Sequence, residues 1–192
     1  MRLFVALEIS EAVRENLATI RNSFPSIDSR VRWVRPQNFH VTLKFIGSVP
    51  TEKVQAIIEA LRGVSLVDRV QVCFRGLGWY LNAKTGVILW ATIEDSKSLA
   101  ALATSIDRRL APLGIAPENR SFMPHLTLAR GNRDIPDSSK TALRELADKY
   151  KKHDFGSVTS EGFHLMESKS LPTGPIYSKA QSFPFAAAAA EN

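Results

Sequence analysis

The tetrapeptide His40-Val41-Thr42-Leu43 recurs as His125-Leu126-Thr127-Leu128, 85 residues later in a chain of 192. Threonine fills about one position in twenty, so chance would place one two residues after two of the four histidines only roughly 1 to 2% of the time. Each copy alternates polar and apolar residues, the pattern of a strand with one face in a core. Alternation sends Val41, Leu43 and Phe45 inward and puts His40, Thr42 and Lys44 on the opposite face. In the second copy Leu126 and Leu128 go inward, and His125 and Thr127 go outward together. Strict alternation also sends Arg130 inward, so it reaches the histidine face only if the strand ends or bulges before it.

The rest of the chain mixes strand and helix periods. Strands are expected over 2–9, 31–34, 39–46, 70–75, 87–93, 125–129, 162–167 and 176–181. Helices are expected over 10–24, 51–61, 96–110 and 138–150. Ser10 caps the first, which Pro25 stops, Gly63 ends the second, and Asp95 caps the third. Asn82 to Gly86 and Leu171 to Pro175 have the composition of hairpin turns, and 186–190 is a low-complexity alanine run. Several neighbouring strands are joined by turns too short for parallel crossovers, so the class is α+β with largely antiparallel sheets.

Composition removes several function classes. The hydrophobic fraction is 44% and the charged fraction 23%, with a net charge of +6, the profile of a globular protein with a mild preference for anionic partners. No apolar run approaches the roughly 20 residues that cross a bilayer, and residues 2–10 lack the order of a signal peptide, so no membrane partner is expected and the cytoplasm is the default compartment. The single cysteine, Cys73, rules out an internal disulfide and a four-cysteine zinc site and reads as a packed strand residue. No Walker A loop, His-Glu-x-x-His helix or Gly-x-Ser-x-Gly elbow is present, and Gly76-Leu77-Gly78 lacks the third glycine of a dinucleotide fingerprint. His153 and His164 have no partner threonine and read as structural or surface residues.

Two imidazoles sharing a site can divide one proton near neutral pH, which is what acid and base catalysis of displacement at phosphorus needs. The neutral ring takes a proton from the attacking water, and the imidazolium gives one to the departing sugar oxygen. Thr42 and Thr127 can donate to the non-bridging phosphate oxygens as their charge grows. This chemistry calls for no metal and no cofactor. From spacing alone either histidine can be the acid. Arg130 is a candidate phosphate ligand, Lys44 a candidate on the face of His40 or a solvated rim charge, and Trp33 and Phe122 candidates for stacking a base.

The stretches Trp33 to Gly47 and Arg120 to Arg130, each holding a His-x-Thr-x motif, resemble the two signature regions of the 2H phosphoesterase superfamily. Within it, the similarity is to the bacterial and archaeal RNA 2′,3′-cyclic phosphodiesterases, also called 2′-5′ RNA ligases. The opening strand and helix and the terminal Gly174-Pro175-Ile176-Tyr177 hairpin also sit where that family has them. The resemblance implies one bilobal domain over 1–192, with two pseudo-symmetric antiparallel sheets backed by helices and the His40 and His125 motifs facing each other, one from each lobe, across a central cleft. It implies hydrolysis of terminal 2′,3′-cyclic phosphodiesters of RNA, or of small cyclic nucleotides, to 2′-phosphomonoesters, with His40 as proton donor and His125 as proton acceptor. Joining a cyclic end to a 5′-hydroxyl through a 2′-5′ bond is the implied reverse reaction. An RNA-end binding module with little catalysis, or another activity of the superfamily such as 2′-5′ oligonucleotide cleavage, are the alternatives. A monomer is the default assembly.

Overall fold

The computed structural model describes residues 1–23, 30–64, 69–82, 86–94, 97–118, 121–172 and 174–185. Nine strands and four α-helices lie among them: β1 (Arg2–Leu7), α1 (Glu11–Asn22), β2 (Val31–Trp33), β3 (Val41–Ser48), α2 (Val54–Arg62), β4 (Val70–Asn82), β5 (Gly86–Glu94), α3 (Lys97–Leu110), β6 (His125–Gly131), α4 (Asp137–Lys149), β7 (Asp154–Ser160), β8 (Gly162–Leu171) and β9 (Gly174–Pro184). Short 3₁₀ turns at Pro36–Asn38, Thr51–Lys53 and Ala111–Leu113 complete the order. The expected helix end at Phe24 and Pro25, the Asp95 cap, the tip of the 82–86 turn, Thr173, Arg120 and the alanine run lie outside the described residues.

Two antiparallel sheets form, one of four strands in the order β3-β1-β8-β9 and one of five in the order β2-β6-β5-β4-β7. The sequence echo is visible in the element order: apart from the short strand β2 inserted before β3, β1-α1-β3-α2 is repeated as β5-α3-β6-α4. Each motif strand pairs with the strand that opens its own repeat, β3 with β1 and β6 with β5. The helices that follow those opening strands cross to the other sheet: α1 packs on β7 and α3 packs on β3. This exchange ties the two halves together, and one apolar cluster runs from Leu3 and Val5 in the first sheet to Leu126 and Leu128 in the second.

Local chemistry explains most of the elements. Ser10 Oγ accepts from Val13 N at 3.4 Å and starts α1, which buries Val13, Leu17 and Ile20 at helical spacing. Leu99, Leu102, Ile106 and Leu110 do the same for α3. Pro36, which needs no amide donor, opens the 3₁₀ turn before the first motif.

Strand β7 is absent from the sequence expectation. Its stretch Asp154-Phe-Gly-Ser-Val-Thr-Ser160 carries few large apolar residues, and pairing with β4 is what makes it a strand. Strand β4 runs past its expected end to Asn82 by way of a bulge at Gly76. There φ is +79°, and a Cβ would lie 2.3 Å from Lys151 O, so the bulge requires glycine.

Candidate active site

Both motif strands carry the same irregularity. In β3 the register with β1 passes from Ala6↔Thr42 to Val5↔Lys44, and in β6 the register with β5 passes from Trp90↔Thr127 to Leu89↔Ala129. The skipped residues are Leu43 and Leu128, the fourth position of each motif. A bulge reverses the parity of everything after it. Leu43 and Lys44 are consequently both buried, as are Leu128 and Ala129, and the following residues, Phe45 and Arg130, return to the histidine face.

Two expectations are corrected by this bulge. Phe45 is 65% exposed rather than in the core. Lys44 is only 6% exposed and is not beside His40; its ammonium donates to Ala116 O at 2.7 Å and pairs with Asp107 Oδ1 of α3 at 2.5 Å. A cation in that position must be paired, and Asp107 pairs it. The bulge that Arg130 needed is present, and its guanidinium donates to Thr127 Oγ1 at 3.3 Å.

Strands β3 and β6 approach within 8 Å between Cα atoms, so the sheets meet along the two motifs. His40 and His125 are held alike. His40 Nδ1 donates to Asn38 O at 2.6 Å, and His125 Nδ1 donates to Met123 O at 2.9 Å. In each case the acceptor lies two residues upstream, in the turn that contains Pro36 or just before Pro124. A carbonyl can only accept, so Nδ1 carries the hydrogen and Nε2 is left for chemistry. Thr42 and Thr127, two residues on, are both half-buried.

Aromatic rings fix the imidazoles from the side. Phe4 lies 4.9 Å from the His40 ring, and Tyr177 meets it edge-on at 5.2 Å. Trp90 stands edge-on to His125 at 6.0 Å. Trp90 in turn faces Gly78 across the β4–β5 pair, where a Cβ would be 2.5 Å from Trp90 Cε2, so the glycine makes room for the indole. Tyr177 belongs to the hairpin similarity, but nothing in its local sequence marks it as a site residue. It comes from β9, far along the chain, and only sheet pairing brings it to His40. Trp33 and Phe122 are half-buried against the core. Trp33 also lines a recess of about 500 Å³ with Arg32, Arg35, Arg130 and Tyr177.

Burial, first of all, holds the His40 imidazole below its ordinary value; the bond to Asn38 works the other way, and the positive charges of Arg130 and His125 lower it further. Burial also lowers Arg130, and burial raises the Tyr177 phenol while Arg130 opposes that rise. Histidines 40 and 125, Arg130 and Tyr177 thus form one electrostatic unit. A positive neighbour disfavours a second proton, so in the free protein His40 is expected to titrate below the ordinary imidazole value of about 6.5. Replacing Arg130 with Gln removes one of the charges that lower it, and the His40 midpoint is expected to move upward. Histidine NMR titration checks both statements, and an unchanged midpoint in Arg130→Gln would contradict the coupling.

His164 is not part of this group. Its Nδ1 contacts Ser182 Oγ at 2.9 Å and its Nε2 lies 3.4 Å from Glu8 Oε2, while His153 is exposed beside Tyr150. Cys73 is half-buried in β4. Among the described residues no three His, Cys, Asp or Glu side chains gather in a metal-binding cluster, and no helix is long and apolar enough to cross a membrane.

Comparison with known proteins decides the lineage. The family model of LigT-like phosphoesterases matches residues 7–90 and 92–177, one motif in each segment. The chain belongs to that family. Among LigT-like relatives, the RNA 2′,3′-cyclic phosphodiesterase of Archaeoglobus fulgidus is 32% identical over 183 residues, covering 95% of this chain and 99% of the relative. That of Methanothermobacter thermautotrophicus is 30% identical over 188 residues, covering 95% and 98%. A crystal structure of a Thermus thermophilus protein superposes with a TM-score of 0.77 at 27% identity, covering 96% of this chain and 98% of that one. Escherichia coli LigT in complex with 3′-AMP shares the LigT fold with a TM-score of 0.76 at 23% identity, covering 96% and 97%.

Proposed function

We propose that this chain is an RNA 2′,3′-cyclic phosphodiesterase working as one bilobal unit over 1–192, with His40 as proton donor and His125 as proton acceptor. The observation that carries the reading is the matched restraint of two imidazoles from opposite sheets, each tied through Nδ1 and electrostatically coupled across the seam where the motif strands meet. Relatives named for this activity, aligned over nearly the whole chain, support it.

In the proposed step, water attacks phosphorus and gives its proton to His125 Nε2. The P–O3′ bond breaks as His40 Nε2 protonates O3′, leaving the phosphate on O2′. Thr42 and Thr127 hydroxyls and the Arg130 guanidinium donate to the non-bridging oxygens, where preorganised donors stabilise growing charge. Exchange with solvent restores both rings. With a 5′-hydroxyl in place of water, the same groups make a 2′-5′ bond: His125 takes the hydroxyl proton and His40 protonates O3′ as the P–O3′ bond breaks. Run backwards, O3′ attacks phosphorus, the P–O5′ bond breaks with a proton from His125, and the cyclic end re-forms. The protein is proposed to act as a monomer in the cytoplasm on RNA ends or small cyclic nucleotides.

Product analysis on an end-labelled RNA bearing a 2′,3′-cyclic phosphate tests this. Only the 2′-phosphate is expected, at the same rate in excess EDTA, because two imidazoles supply both proton transfers. A 3′-phosphate product, loss of turnover with chelator, or salt-sensitive binding with no product would each reject the proposal.

A further inference from the structure

We propose that Arg32 forms a second phosphate subsite, holding the phosphodiester on the 5′ side of the reacting one, so that the protein favours RNA ends carrying an internal phosphodiester over mononucleoside cyclic phosphates. The inference rests on the phosphodiesterase reading above and deepens it. Its basis is a cross-strand pair. Arg32 of β2 lies directly opposite Arg130 of β6, and residues so paired point to the same face with Cβ atoms about 4.5–5.5 Å apart. The pairing puts two cationic side chains on one face of the β2–β6 pair, and among the described residues no carboxylate forms an ion pair with Arg32. Cations on one face attract an anion, and the planar guanidinium fork suits phosphate oxygens.

The surroundings extend away from the reacting centre. Arg130 touches Thr127 at one end, and the recess of about 500 Å³ continues past Tyr177 to Arg32 and Trp33. Among the described residues its lining includes Arg32, Arg35 and Arg130 and no carboxylate. The opposite wall is the turn at Gly174 and Pro175, held by Asn38 Nδ2 donating to Pro175 O at 2.9 Å. Adjacent phosphates of a strand are one nucleotide apart, a span that two neighbouring arginines match when one takes the terminal group and the other takes its predecessor. Trp33 supplies an aromatic wall beside the intervening nucleoside.

The test compares kcat/KM for a dinucleotide ending in a 2′,3′-cyclic phosphate with that for the mononucleoside 2′,3′-cyclic phosphate, in wild type, Arg32→Gln and Arg32→Lys. Wild type is expected to prefer the dinucleotide. Arg32→Gln is expected to lower the preference about tenfold, the usual scale for a lost charge-assisted hydrogen bond. It should also lower the dinucleotide's log–log salt slope by about 1, with Arg32→Lys restoring part of each. Turnover of both substrates with the same ratio in wild type and Arg32→Gln overturns the subsite and leaves the phosphodiesterase reading intact. Turnover of neither substrate by wild type rejects that reading. Fluorescence anisotropy with a labelled dinucleotide ending in a 2′-phosphate then decides the subsite separately, and equal affinity for wild type and Arg32→Gln rejects it.

Discussion

Alanine at His40 or at His125 is expected to lower kcat for a 2′,3′-cyclic phosphate by about 10²–10⁴, the usual worth of one positioned proton-transfer group. Both rings are half-buried and their Nδ1 partners are backbone carbonyls, so each alanine frees one carbonyl and the fold should persist. The two transfers belong to one displacement, so the double variant should be little worse than the poorer single one. A substrate in which sulfur replaces the bridging 3′ oxygen separates the roles, since a thiolate leaves without a proton. It should rescue the His40→Ala variant far more than His125→Ala. Near-normal turnover by both single variants on the ordinary substrate would dismiss two-imidazole catalysis. Rescue of His125→Ala instead would exchange the donor and the acceptor.

Lys44→Met should unfold the protein more easily without removing a ligand of the proposed phosphate site. Its ammonium is buried against Asp107 and Ala116 O, and removing it leaves Asp107 with an uncompensated charge. Breaking such a pair costs about 3–5 kcal/mol when fully buried. The Asp107 side chain is 20% exposed, so the lower end applies, and a fall in Tm of roughly 6–12 °C is expected for a chain of this size. Replacing both partners with apolar residues should recover part of the loss. Thermal unfolding and kcat/KM on the folded protein check this together. A large rise in KM with an unchanged Tm would return Lys44 to the substrate.

The site is legible in sequence where alternation is local, and illegible where a partner strand decides. His40 and Thr42, or His125 and Thr127, precede the bulges, so period-two reasoning places them on a common face. Lys44 and Phe45 follow one, and the same reasoning puts both on the wrong side. Arg130 marks the difficulty openly, because its usefulness demands an irregularity that no residue in Leu128-Ala129 announces. The bulges are visible only as skipped partners on β1 and β5.

Strand β7 and residue Tyr177 escape a sequence reading for a related reason. The first has too few large apolar side chains to signal itself and becomes a strand by pairing with β4. The second reaches His40 because β9 pairs with β8, which pairs with β1.

By itself, the sequence determined the α+β class, the repeated His-x-Thr-x motif and the imidazole and hydroxyl side by side in each copy, since these follow from spacing along one segment. Tertiary structure alone decided that the two copies meet along β3 and β6, that Arg130 turns towards the histidines while Lys44 turns away, and that Arg32 lies opposite Arg130. Those outcomes depend on hydrogen-bond register between segments remote in the chain, where one skipped residue sends a side chain to the other face.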